Sequence, residues 1–563
     1  MTDLIERARV WIDGDPDPET RARLEELVAK GDLQSLERHM EGVLTFGTAG
    51  IRGEVGAGPA MMNRAVVIRT TFGLAGYLGE TNRPVILGFD ARPTSRLFAE
   101  DVAGVLSAAG ITVRYFAEVT PTPVVAFAAK HLGAAAAVVI TASHNPPADN
   151  GYKVYGPDAA QIVSPIDESI QRLIETAPPA NEIPRVERVF EGSSDRVSTA
   201  PPDLIDRYWD ELAATRSRTT GSGLEVVYTP IHGVGRDVVL DMMDRAGHTG
   251  LTVVPEQAEP DGTFPTVPFP NPEETGALDL ALDLARRRNA DLVIANDPDA
   301  DRLAAVVPHD GDWRPLTGNE IGSLLGDYML AHDPDPARAV VVSSIVSSPM
   351  LGRIASSYGA TWERTLTGFK WIVKAGLALE GSGERRFIFG YEEALGYTVG
   401  STVRDKDGIG AAVVFTDLAA DLADEGLTLM DRLHRLWQQH GLWVSAQVSI
   451  TRPGPNGVES LRLAVEALAD DPPKSVGGVP VTRVVDYRSG AEERPVWLGE
   501  QDLVELAIGE DGRILVRPSG TEPKLKIYVD LTDDVSGDPD AQQKRLLDRA
   551  GQIGSDLEQS LRI

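Results

Sequence analysis

The run Thr141-Ala-Ser-His-Asn-Pro146 sets a hydroxyl, an imidazole and a turn-forming Asn-Pro pair directly behind the small apolar residues Ala135 to Ile140. A buried strand that stops in such a turn lifts Ser143 to the rim of a sheet, since proline cannot extend the hydrogen-bond ladder and His144 lies one residue away. That is how a nucleophile is displayed. Ser, Asn and Pro also dominate turns for conformational reasons alone, so the hexapeptide gains its weight from the other loops of the chain. His144 and Lys153 are the titratable groups near Ser143 and the candidates for general acid–base work.

Asp297, Asp299 and Asp301 alternate immediately after the apolar run Leu292-Val-Ile-Ala. An extended backbone points alternate side chains the same way, so three carboxylates are expected to meet at one point. Such crowding is costly without a cation, and oxygen ligands with no His or Cys among them favour Mg²⁺. An EF-hand is excluded, because its sixth position is Arg302 instead of Gly and its twelfth is Pro308 instead of Glu. Arg302 is itself a candidate substrate contact.

Arg517-Pro-Ser-Gly-Thr521 combines a guanidinium fork, the hydroxyls of Ser519 and Thr521, and Gly520, which lets backbone amides approach closely; this suits a phosphate dianion. Gly390-Tyr-Glu-Glu-Ala-Leu-Gly396 puts Glu392 and Glu393 on a tight loop, where carboxylates can accept hydrogen bonds from vicinal sugar hydroxyls. Phe46-Gly-Thr-Ala-Gly-Ile-Arg-Gly53 brings Arg52 among glycines. The charges of Arg404 and Lys406 in Val403-Arg-Asp-Lys-Asp-Gly suit substrate phosphate and linked hydroxyls. A nucleophile, a divalent cation, an anion cradle and a hydroxyl reader together describe phosphoryl transfer on a polyol.

The elements that must carry these loops are readable in outline. Residues 1 to about 40 read as amphipathic helices, with Asp15-Pro-Asp-Pro as a cap and Leu24, Leu27 and Val28 at helical spacing. Beyond them short apolar runs (Pro84 to Phe89, Leu224 to Tyr228, Asp291 to Ala295, Ala339 to Val342) alternate with Ala/Leu-rich stretches, the pattern of α/β units with largely parallel strands. Stretches 178–200 and 214–223 and Gly454-Pro-Asn-Gly457 read as connectors. Four times an apolar strand runs into a polar loop, and in α/β folds ligands bind at the carboxyl ends of strands.

At 563 residues the chain exceeds one core. Eighty-four acids against 54 bases give a net charge of −30, whose field repels nucleic acid and anionic lipid, so neither is expected as a partner. Anionic substrates then need a local basic cleft. The absence of cysteine rules out disulfides and thiolate sites, so any metal must sit on oxygen or imidazole. The start, Met1-Thr-Asp-Leu-Ile-Glu-Arg, lacks basic and apolar signal regions, which gives a cytoplasmic expectation.

With these motifs in order, the chain resembles the α-D-phosphohexomutase superfamily, the phosphoglucomutase/phosphomannomutase enzymes, along nearly all its length. Thr141-Ala-Ser-His-Asn-Pro with Asn150-Gly-Tyr-Lys153 is similar to the phosphoserine loop, the aspartate cluster to the Mg²⁺ loop, Glu392-Glu393 to the sugar loop and Arg517-Pro-Ser-Gly-Thr to the phosphate loop. Asp261-Gly-Thr-Phe-Pro, Pro270-Asn-Pro-Glu-Glu and Thr317-Gly-Asn-Glu320 also resemble family signatures. The implied fold is α/β: a four-domain, heart-shaped arrangement of three related mixed-sheet α/β domains and a smaller C-terminal α+β domain. The boundaries expected are 1–212 (helical arm and phosphoserine loop), 213–312 (Mg loop), 313–440 (sugar loop) and 441–563 (phosphate loop).

The resemblance implies an isomerase-class phosphomutase that interconverts glucose or mannose 1-phosphate and 6-phosphate. Ser143 carries the catalytic phosphate and joins Asp297, Asp299 and Asp301 around Mg²⁺. A sugar bisphosphate serves as intermediate and activator, Lys153 and His144 transfer protons, and Arg52 supports them. Arg302, Glu392, Glu393, Arg404, Lys406, Arg517, Ser519, Gly520 and Thr521 hold substrate, in a monomer or homodimer. Ala394 stands where hexose-specific relatives carry serine, and the motifs lie closer to the phosphoglucomutase-2/phosphopentomutase branch; pentose phosphates or a sugar bisphosphate synthase activity therefore stay open. So do a phosphoaspartate site on Asp297/Asp299 and a sugar-phosphate sensor without turnover.

Overall fold

Short runs of β-branched and small residues become strands covered on both faces. In the computed structural model, residues 2–47, 50–381, 383–452, 457–518 and 524–561 are described. They form two units: Met1–Pro315 with Gly396–Asp417, and Leu316–Leu395 with Leu418–Ile563. No helix among the described residues is long and apolar enough to cross a membrane.

The first unit contains two mixed sheets. One has the order Ile51–Glu54, Asp149–Tyr155, Ala136–Ile140, Val85–Phe89, Val113–Tyr115, Val197–Thr199, with parallel strands from Ala136–Ile140 onward and Asp149–Tyr155 antiparallel to its neighbours. Every residue of Val85–Phe89 and Ala136–Ile140 is buried, as a parallel strand between helical layers requires. The other sheet runs Asp312–Pro315, Ala304–His309, Leu292–Ala295, Val226–Thr229, Leu251–Val253, its last three strands parallel. The N-terminal helices Thr2–Gly14, Pro18–Lys30 and Leu33–Met40 bury Ala8, Leu24, Leu27, Leu36 and Met40 in a small core of their own. Asp17 caps the second helix by accepting from the Glu19 N–H at 2.9 Å.

The second unit holds three parallel strands, Thr361–Thr365, Ala339–Ser344 and Arg386–Glu392, and a six-stranded antiparallel sheet from Leu442–Thr451 to Ser475–Val476 with the helices Gly457–Asp470 and Pro539–Ser560. The connector expected at 454–457 lies outside the described residues except for Gly457, which opens a helix. The 178–200 stretch contains two single-turn helices and the edge strand Val197–Thr199.

Gly396–Asp417 folds with the first unit through buried and partly buried polar contacts. Lys130 Nζ donates to the Ser401 carbonyl at 2.7 Å, and Arg216 grips Asp417 with two 2.7 Å hydrogen bonds. Tyr208 Oη donates to both oxygens of Asp407, at 2.8 and 2.9 Å, and the Gly410 N–H adds a third. Burial nevertheless outweighs these bonds and pushes Asp407 up to about 6 from 3.8. A folded-state value above the unfolded one means that the ionised carboxylate opposes folding above about pH 6, by ~3 kcal/mol at neutral pH, and that the penalty fades as pH falls toward 3.8. Asp407→Asn keeps the acceptor and removes the charge. It is expected to raise the unfolding midpoint near pH 7.5, with the gain over the parent shrinking near pH 5, as calorimetry at the two pH values will show.

Candidate active site

Two turns, each at the carboxyl end of a strand and one from each sheet, build the centre of the first unit. After Ala136–Ile140 the chain turns sharply, and Ser143 adopts φ +53°, a left-handed conformation uncommon for a residue with a side chain. The Thr141 hydroxyl accepts from the Ser143 N–H at 2.9 Å and fixes the turn. After Leu292–Ala295 the carboxylate cluster follows. Extended alternation was expected there; instead a turn closed by the Ala300 N–H on the Asp297 carbonyl at 2.8 Å, with Ala300 at φ +56°, curls the segment. The curl still gathers one oxygen from each of Asp297, Asp299 and Asp301 within 4.8 Å of one another, all three buried.

Ser143 Oγ donates to Asp297 Oδ2 at 2.8 Å and lies 3.1 Å from His144 Nδ1. Lys153, fully buried on Asp149–Tyr155, donates to Asp299 Oδ2 at 2.5 Å and Asp301 Oδ2 at 2.9 Å. Lys406 Nζ lies 3.1 Å from Asp301 Oδ2, and Arg302 Nε is 3.9 Å from Asp297 and 3.8 Å from Asp301. Arg52 Nη1 donates to Asn145 Oδ1 at 3.2 Å within the serine turn. Cations thus surround three carboxylates in an otherwise acidic chain, which is the local sign reversal that an anionic substrate requires.

Burial opposes charge on Lys153, but Asp299 and Asp301 outweigh it and push the ammonium pKa up. Burial would likewise push Asp301 up, yet Lys153, Lys406 and Arg302 hold it well below the usual carboxylate range. Asp299 moves the other way, raised by burial and then by the neighbouring Asp301. Burial, reinforced by Arg302 and Arg52, drives His144 well below the ordinary imidazole value, which keeps the ring neutral.

The donor set fits a hard divalent cation. Asp299 Oδ1 and Asp301 Oδ1 are buried without a hydrogen-bond partner, and all-oxygen ligation by carboxylates is what Mg²⁺ selects.

The second unit carries the remaining candidates. Glu393 Oε2 accepts from Ser344 Oγ at 3.0 Å and Ser347 Oγ at 3.2 Å, and its N–H donates to Ser347 Oγ at 3.1 Å. Thr317 and Glu320 form a capping box at the start of Gly318–His332, and a Cβ on Gly318 would fall 1.9 Å from the Glu393 carbonyl oxygen, so only glycine lets this helix start against the loop. Glu392 ends the strand Arg386–Glu392. Arg517, on Gly512–Pro518, donates from Nη1 to Thr367 Oγ1. Ser519, Gly520 and Thr521 lie outside the described residues.

Arg404 belongs to the first unit, where its Nη1 donates to the Asp158 carbonyl at 2.8 Å. Sequence reading missed Thr122, whose hydroxyl donates to Asp299 Oδ2 at 2.7 Å, and Asp405, which accepts from Tyr155 Oη at 2.6 Å and Gln161 Nε2 at 2.7 Å beside Lys406. No local pattern marks them, since each acts on a residue distant in sequence. Ser344 and Ser347 had a visible signal: Ala339–Ser344 is another strand that ends in hydroxyls.

Comparison with known proteins agrees along the chain. Residues 43–180, 206–311 and 317–440 match phosphoglucomutase/phosphomannomutase alpha/beta/alpha domains I, II and III, and 481–538 matches the C-terminal domain. A probable phosphomannomutase of Haemophilus influenzae is 41% identical over 83% of this chain and 93% of its own length. A phosphopentomutase of Mus musculus is 34% identical over 98% and 94%. A crystal structure of a putative phosphomannomutase from Thermus thermophilus shares the fold with a TM-score of 0.67 at 21% identity, covering 90% of this chain and 98% of that one. With sequence identity sustained along the chain and four domain types matched in order, the protein belongs to the phosphoglucomutase/phosphomannomutase family of the α-D-phosphohexomutase superfamily.

Proposed function

We propose that the protein moves a phosphoryl group within a sugar monophosphate, between the 1-position and the terminal hydroxyl, using Ser143 as the carrier. The observation that supports this reading most directly is the 2.8 Å hydrogen bond from Ser143 Oγ to Asp297, which puts a hydroxyl on a turn against a carboxylate cluster suited to a divalent cation. Phosphoserine gives its phosphoryl group to the free hydroxyl of the monophosphate: the Ser143 Oγ–P bond breaks, a P–O bond to the sugar forms, the sugar hydroxyl proton goes to a nearby base, and the released Ser143 Oγ takes up a proton from a nearby acid. The bisphosphate turns around, and Ser143 Oγ takes the other phosphoryl group, releasing the isomeric monophosphate. His144 and Lys153 hold and move the protons; Arg52, Arg302 and Lys406 balance the phosphate charge.

Asp297, Asp299 and Asp301, with the Ser143 oxygen, would hold Mg²⁺. When bound, it supplies charge neutralisation at the transferring group. On the substrate side, Glu392 and Glu393 read sugar hydroxyls, with Glu393 kept in one orientation by Ser344 and Ser347, while Arg404 in the first unit, and Arg517 with Ser519, Gly520 and Thr521 in the second, are each candidates to hold the phosphate that does not react.

Hexose phosphates, glucose or mannose, are the first substrate reading. Ribose or deoxyribose phosphate is the second, favoured by Ala394 in the sugar loop and by the phosphopentomutase relative that matches nearly the whole chain.

Ser143→Ala is expected to cut mutase turnover by roughly 10³-fold or more, and the peptide containing Ser143 to carry one phosphoryl group in the parent enzyme only. Mass spectrometry with a coupled assay on glucose, mannose and ribose 1-phosphates checks both; full activity in the variant overturns the mechanism. Removing divalent ions with EDTA should abolish turnover and Mg²⁺ should restore it. Mg²⁺ at about 100 times its dissociation constant should add ~2.7 kcal/mol of stability to the parent. That thermal shift should be absent in Asp299→Asn/Asp301→Asn.

A further inference from the structure

The serine turn has a brace that no motif announced. Arg92 lies just past the strand Val85–Phe89 and is 3% exposed. Its guanidinium donates four hydrogen bonds to the backbone of the turn: from Nη2 to the carbonyls of Ser143 (2.8 Å) and Asn145 (2.7 Å), and from Nη1 to those of Pro146 (2.6 Å) and Asp149 (2.8 Å). Asp90 Oδ2 stands 3.2 Å from Arg92 Nε as its counter-ion. Asp90 is fixed in turn, its Oδ1 accepting from the Arg92 N–H at 3.0 Å and from Ser95 Oγ at 2.5 Å. Two residues on, Thr94 and Ser95 accept from Asn150 Nδ2 at 2.8 and 3.0 Å, so one short segment grips both ends of the 143–150 loop.

The far side of the guanidinium is covered by the Asp261-Gly-Thr-Phe-Pro segment. The Phe264 ring centroid lies 5.2 Å from the guanidinium carbon, a cation–π distance. A Cβ on Gly262 would fall 2.3 Å from Arg92 Cα and 2.4 Å from the Ala91 carbonyl oxygen, so glycine is what lets this segment close over the brace.

We propose that Arg92 is a positioning residue for phosphoryl transfer: it fixes the 143–149 turn in the one shape that presents Ser143 Oγ to Asp297, and the Gly262–Phe264 segment locks it there. This role presupposes Ser143 as the phosphoryl carrier. Four carbonyls of one half-buried turn converge on Arg92 and need four donors in a fixed plane, and the paired NH₂ groups of a guanidinium supply them. A lysine ammonium has three donors and no plane, so it preserves the charge and loses the geometry. Ser143 sits in the left-handed region, and a turn released from its brace would relax away from that conformation. Misplacement of a reacting atom by about 1 Å is enough to cost roughly a hundredfold in rate.

The test uses the full-length enzyme with Mg²⁺ and compares Arg92→Lys, Arg92→Met and Phe264→Leu with the parent, each first shown to be folded by circular dichroism and thermal unfolding. Two quantities are read: kcat and KM in the coupled assay, and the single-turnover rate at which glucose 1,6-bisphosphate phosphorylates Ser143. Both Arg92 variants are expected to lose about a hundredfold in kcat and in the Ser143 loading rate, with KM within about threefold of the parent and no rescue by lysine. Phe264→Leu should lose about tenfold in both rates. Loading within threefold of the parent in a folded Arg92 variant overturns the proposal. If both Arg92 variants fail to fold, Phe264→Leu decides, and an unchanged loading rate there overturns it too. Failure of the carrier reading is a separate result, because then the parent enzyme itself shows no phosphate on Ser143.

Discussion

Three carboxylates gathered within 4.8 Å of one another in a buried place are untenable without positive charge, and much of the first unit answers that demand. Taking each ion out of water costs several kcal/mol, and like charges add to it. Lys153 and Lys406 approach from different parts of the chain, and Arg302 and Arg52 from two more. Asp301 and Asp299 are driven in opposite directions, the first held ionised by surrounding cations and the second raised by burial and its neighbour. A cluster balanced in this way can take up a divalent cation and an anionic substrate with small changes in net local charge.

The same demand accounts for the placement of Gly396–Asp417. Lys406 reaches Asp301 because Asp405, beside it, is clamped by Tyr155 and Gln161, and Tyr155 belongs to the strand that carries Lys153. Two of the cations at the cluster are therefore registered to one strand. The buried Asp407–Tyr208 contact and the Arg216–Asp417 pair hold the rest of the segment, and the raised pKa of Asp407 shows that some of this anchoring costs stability. Buried charge retained against its own cost usually fixes geometry.

The serine turn illustrates the complementary problem, of backbone instead of side-chain charge. The tight turn that displays the Ser143 hydroxyl turns its carbonyls toward Arg92, and that single guanidinium satisfies four of them. In the second unit Glu393 is oriented on the same logic, by hydroxyls at the end of a parallel strand and by a glycine that brings a capped helix against its backbone. In this phosphohexomutase Ser143 and the three aspartates sit on turns, and their placement comes from what lies behind the turns.

Sequence alone determined the chemical inventory: Ser143, His144, the three aspartates, Glu392–Glu393 and Arg517 are each next to an apolar strand, and adjacency along the chain is a local property that spacing records. It also determined the alternation of strands and helices, since burial on both faces demands continuous apolar runs such as Ala136–Ile140. What it misjudged was how the aspartates converge, because a curled turn and an extended segment can present the same alternation of residues. Only the tertiary structure decided that Lys153 and Lys406 share Asp301, that Asp405 and Thr122 serve the cluster, and that Arg92 and Phe264 stand behind Ser143. Those partners come from strands and loops far apart in sequence, and a contact made across such distances leaves no period, cap or turn composition to read.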